Sequence, residues 1–101
     1  MNTLRHVVLL RFQADAAATD VQRVEQAFAQ LFNEIQTIHS LTWGTNNSPE
    51  GLDHGFTHCF TLAFADAAAR DAYLVHPAHQ AFSELARPLL ADVLVIDHLH
   101  R

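Results

Sequence analysis

Residues 41–64 read LTWGTNNSPEGLDHGFTHCFTLAF, and the fold follows from how this stretch divides. Phe56 to Phe64 alternates with a period of two. Phe56, His58, Phe60, Leu62 and Phe64 share one face, and Thr57, Cys59, Thr61 and Ala63 share the other. Leu41 to Gly44 reads as a second, short strand. Thr45 to Gly55 between them is turn chemistry throughout, Asn-Asn-Ser-Pro followed by two glycines. Two strands therefore follow one another with no helix between them.

Helices are expected on both sides of this pair. Upstream, Val21, Val24, Phe28, Leu31, Ile35 and Ile38 recur at alternating steps of three and four, one apolar stripe along about five turns. Thr19 with Gln22 three residues on reads as a capping box at its start. Before it, Leu4 to Phe12 forms a strand with His6, Val8, Leu10 and Phe12 on the core face. Downstream, Asp66 caps a short helix, Ala67 to Leu74, that carries Tyr73. Pro77 suits the first position of a further helix, with His76 just before it and His79 in its first turn. Phe82, Leu85, Ala86 and Leu89 are its apolar side, and Pro88 limits its length. Val93 to Leu99 closes the chain as a strand.

The order is β-α-β-β-α-β, an α+β fold of the ferredoxin-like type spanning residues 1–101 as one domain. Helices cover one sheet face. The other carries Val7, Leu9, Cys59 and Ala63 among threonines and arginines, and a half-apolar face of that size calls for a partner. A homodimer packed through the open sheet face is the economical cover.

Composition narrows the function classes. The chain has 101 residues, 50% of them hydrophobic and 17% charged, which is enough apolar material for a core without disulfide or structural metal. The net charge is -5, lysine is absent, and the six arginines form no stripe, so nucleic-acid binding lacks its electrostatic footprint. No apolar run reaches the length needed to cross a bilayer. The single cysteine and the absence of a signal-peptide pattern at the N-terminus lead us to expect a cytoplasmic protein.

Eight histidines are the unusual count. By parity His6 and His58 face the helix-covered side, where Tyr73, His76 and His79 also belong. Each unpaired polar group in such a place costs roughly 1–3 kcal/mol. Two readings follow: a functional cavity, or histidines satisfied one by one. A metal site would draw on His76-x-x-His79, but Pro77 sets His76 at the cap, outside the helix, and the motif holds no carboxylate; we assign no metal and no cofactor. Nothing is assigned to His39, His54, His98 or His100, and Cys59 has no adjacent base. A histidine at a helix N-terminus is held neutral by the dipole and suits general-base work. A tyrosine hydroxyl beside it can hold a carbonyl or enolate oxygen. With Phe60, Phe82 and Leu62 around them, the pair suits proton abstraction next to a carbonyl in a small apolar substrate.

HVVLLRF, WGTN, GFTHCFTLAF, YLVHPAHQAF and VLVIDH, in this order, resemble the stress-responsive A/B barrel domain (Dabb) family over nearly the whole chain. The resemblance implies a dimeric α+β barrel built from ferredoxin-like protomers. The family includes a plant polyketide cyclase that works without cofactor by aldol chemistry. By that similarity Tyr73 and His79 are the catalytic pair, and His6 and His58 are further pocket residues. Phe28 takes the place of a pocket tyrosine, so its hydroxyl is missing here. The expected site is then His79 and Tyr73 for catalysis, with His6, His58, Phe28, Phe60 and Phe82 for substrate. A non-catalytic small-molecule-binding or stress-associated structural protein is the reading that stays open beside it.

Overall fold

The computed structural model describes residues 3–101. Strands β1 (Leu4–Phe12), β2 (Ser40–Thr45), β3 (His58–Phe64) and β4 (Leu90–Leu99) form one antiparallel sheet in the order β2-β3-β1-β4. Helices α1 (Ala18–Glu34), α2 (Ala67–Leu74) and α3 (Pro77–Ala86) lie on one side of it, and a 3-10 turn at Arg87–Leu89 leads into β4. The ferredoxin-like β-α-β-β-α-β order is thus present, with its second helix broken in two. Pro77 is the reason: it cannot continue α2, so a new helix starts on it, capped by the His76 side chain.

Alternation in β1 is complete from Leu4 to Leu10, with Leu4, His6, Val8 and Leu10 buried. From α1, Val24, Phe28 and Leu31 close over this face, each fully buried. Burying side chains of this size contributes roughly 1.5–3 kcal/mol apiece. Phe28 lies flat on Phe60, ring centroids 3.9 Å apart, and Phe82 of α3 leans on it at 4.7 Å. Asp66 caps α2 by accepting from the Ala69 amide.

Four sequence expectations are corrected. The helix α1 begins at Ala18 with Ala17 at the cap and no side chain capping it, so Thr19 lies inside the first turn and makes no capping box. Its helical part ends at Glu34, and Ile35 is extended. Ile35 and Ile38 nonetheless stay buried, because the turn after the helix keeps the apolar stripe on the sheet. Strand β4 starts three residues earlier than its apolar run, at Leu90, paired with Phe12 across a register shift. Ala63, assigned to the open face, is 2% exposed, since a methyl group between cross-strand neighbours Arg5 and Ser40 keeps little surface.

The remaining open face is half apolar. Leu9 pairs with Leu94 and Val7 with Ile96, and the two β4 residues are 42% and 57% exposed. No helix among the described residues is long and apolar enough to cross a membrane.

Candidate functional site

A cavity of about 520 Å³ opens between the sheet and the α2–α3 pair. Its floor is His6, Val8 and Leu10 of β1 with Val93, Val95 and Asp97 of β4, and its roof includes Phe28, Tyr73, His79 and Phe82. The volume lies within the range of small-molecule sites. β4 is an edge strand, so Val93 and Val95 form one wall of the cavity while remaining 44% and 50% exposed.

Tyr73 stands between the two cavity histidines. Its ring centroid is 4.5 Å from that of His79 and 5.7 Å from that of His6. Burial pushes the phenol well above its ordinary pKa, so the hydroxyl keeps its proton at neutral pH. Tyr73 lines the cavity, and a phenol that keeps its proton is a hydrogen-bond donor.

His79 occupies the third position of α3. Its Nδ1 donates to the Leu74 carbonyl at 3.1 Å, which fixes the tautomer and leaves Nε2 with the lone pair. Its pKa is lowered, chiefly by burial; the Leu74 carbonyl pulls it back up in part, and the charge of His6 adds a smaller push downward. The imidazole is therefore neutral, with a free acceptor nitrogen, at physiological pH. His76, by contrast, turns its Nδ1 to the Ala78 amide at 3.0 Å as the helix cap and does not line the cavity.

His6 is anchored by residues the sequence reading passed over. Its Nδ1 donates to Asp97 Oδ1 at 2.7 Å, while Oδ2 of the same carboxylate accepts from Arg70 at 2.9 Å. Arg70 in turn donates to Asp71 at 3.0 Å. A carboxylate is an acceptor only, so His6 carries its proton on Nδ1 and, when neutral, is an acceptor at Nε2. The signal for Asp97 was available: on period two it shares a face with Val93 and Val95, an acid in an apolar row, and it pairs directly with His6.

Two expected site residues lie elsewhere. His58 pairs with Leu10, four residues along β1 from His6, a separation of about 13 Å. It is buried at the far end of the sheet, with Nε2 on Glu25 at 2.7 Å and Nδ1 on Thr57 at 2.7 Å. Phe12 packs edge-on against its ring at 5.1 Å and Trp43 stacks on it at 6.1 Å. Both of its nitrogens are engaged by the protein. Phe60 sits behind the cavity wall, 0% exposed between Phe28 and Trp43, and does not line the cavity itself. Phe28, Phe82, His6, Tyr73 and His79 do come together.

The topology and the cavity define a ferredoxin-like α+β domain with a site between its sheet and its split second helix. The family described as Stress responsive A/B Barrel Domain matches residues 4–99, and the chain belongs to it. The chain is 33% identical to the stress-response A/B barrel domain-containing protein HS1 of Arabidopsis thaliana, over 94% of this chain and 87% of that protein. It is 22% identical to olivetolic acid cyclase of Cannabis sativa, over 97% of both. Among solved structures, hydroxynitrile lyase of Passiflora edulis superposes with a TM-score of 0.91 at 21% identity, covering 98% of this chain and 94% of that one. A dimeric ferredoxin-like protein of Thermobifida fusca superposes with a TM-score of 0.82 at 23% identity, over 98% and 92% of the two chains.

Proposed function

We propose that the cavity takes a small, largely apolar carbonyl compound and removes a proton beside its carbonyl, as a cyclase of the aldol type or a lyase does. The observation that carries this reading is the pairing of Tyr73, a protonated buried phenol, with His79, a neutral imidazole whose lone pair is left on Nε2. In it His79 Nε2 takes the proton as general base. Tyr73 donates to the oxygen on which negative charge develops. His6, held by Asp97 and Arg70, packs edge-on against Tyr73 and fixes its ring, and Phe28 and Phe82 pack on the apolar part. Olivetolic acid cyclase, similar over 97% of both chains, supports a cyclase among the reactions of this class.

The test is proton–deuterium exchange at the carbon between the carbonyls of a β-diketone with an aliphatic tail, followed by NMR in deuterated water. Exchange faster than in buffer supports catalysis; binding without faster exchange makes the protein a carrier. The pH profile gives a second check. Neutral His79 is the active form and its pKa is depressed below about 6.5. The rate is expected to hold down through that value and fall only at lower pH. The same sign applies to stability. The contribution of neutral His79 is present above the unfolded value and is lost as pH falls through the folded one. A rate that halves above pH 6.5 overturns the assignment of His79.

The open sheet face fits a second copy of the chain. Its exposed Leu94 and Ile96 continue the apolar row of Leu9 and Val7, and the Thermobifida fusca relative is dimeric. A lone cysteine fits the reducing cytoplasm as the place of action.

A further inference from the structure

Arg87 is a charged group that the proton-transfer chemistry leaves unused. It stands at the C-terminal end of α3, exposed, and lines the cavity. Among the described residues it makes no ion pair, and Glu84, one turn earlier and exposed, lies outside pairing distance. The other arginine on the cavity, Arg70, already donates to both Asp97 and Asp71.

The cavity is therefore charged unevenly along its length. At the Tyr73–His79 end, one guanidinium stands against two carboxylates. At the other end, beside Leu90 and Val93, one guanidinium stands against none. The wall between is apolar: Val8, Leu10, Phe28, Phe82 and Val95. His79 and Arg87 are eight residues apart on the same helical run, about 12 Å along its axis. On the floor, Asp97 opposite His6 and Val93 opposite Leu10 are separated by about 13 Å. A carboxylate is repelled from the first end and drawn to the second.

We propose that the natural ligand is a medium-chain oxo acid: its carboxylate rests on Arg87, its chain on Phe28 and Phe82, and its carbonyl at Tyr73 and His79. This rests on the carbonyl reading above and adds the charge, the orientation and the spacing of the two polar groups.

Three probes of equal chain length separate the two ideas, decanoate, decanol and the corresponding methyl ketone, titrated by calorimetry into the full chain at pH 7.5. Decanoate is expected to bind about fivefold more tightly than decanol in low salt, the upper range for an exposed ion pair. The difference shrinks as salt screens the pair. Arg87→Gln abolishes the preference while leaving decanol and ketone affinities unchanged, and Arg87→Lys keeps most of it. Equal binding of decanoate and decanol to the wild type, or a preference that survives Arg87→Gln, overturns the oxo-acid assignment while the carbonyl cavity stands. Binding of none of the three overturns both.

Discussion

His58→Ala is expected to lower the free energy of unfolding by about 3 kcal/mol, measured by urea titration at fixed protein concentration. Three losses add up to this. The imidazole gives up its bond to Glu25 and its bond to Thr57, both 2.7 Å long, and leaves a cavity beside Phe12 and Trp43. Glu25 is 21% exposed at its side chain, so water recovers part of its solvation and keeps the cost below that of a fully buried orphan charge. In a double-mutant cycle with Glu25→Ala the two changes are expected to couple by about 1–2 kcal/mol. His79→Ala, which gives up one backbone hydrogen bond from a half-buried ring, is expected to cost no more than about 1 kcal/mol. Equal losses in the two variants would remove the distinction between a histidine that ties α1 to β3 and a histidine that serves the cavity.

That distinction could not be drawn from the sequence, and the reason is geometric. Period two assigns His6 and His58 to one sheet face, and both are on it. Parity says nothing about position along the strand or about which helix residue stands opposite. Glu25 is one step past Val24 on α1, a surface position by the apolar stripe, yet it reaches back to His58 over the sheet end. Asp97 was legible in principle as an acid in an apolar row, but its partner on β1 is set by the register between the first and last strands, which alternation does not reveal. What local chemistry did specify was the split second helix. Asp66, His76 and Pro77 each act at the position where their side chains suggested a start or stop. Thr19 failed by the same measure: two residues further in, its hydroxyl is past the cap, and Ala17 leaves the first amides of α1 to its own carbonyl and to solvent. Strand alternation and helix punctuation, both short-range, thus carried the fold. Assembly of the site needed the crossing of α2 and α3 over β1 and β4, which is long-range.

Tyr73→Phe is the variant expected to separate chemistry from architecture most sharply. The ring packs between Phe64 at 5.2 Å, His79 and His6, and phenylalanine keeps all of these contacts. The hydroxyl makes no hydrogen bond to the protein among the described residues, so its removal leaves stability unchanged or slightly raised. Its removal also takes away the donor to the developing oxyanion, a loss of about 100-fold to 1,000-fold in the exchange rate. His79→Ala removes the base and is expected to cost a comparable factor, about 100-fold to 10,000-fold. The two groups act on opposite sides of one proton transfer: the base has little to take unless the oxygen accepts charge. The double variant is therefore expected to lose scarcely more than the worse single one. Multiplicative losses would mean that Tyr73 and His79 serve separate steps. A Tyr73→Phe protein with undiminished exchange would place the oxyanion donor elsewhere.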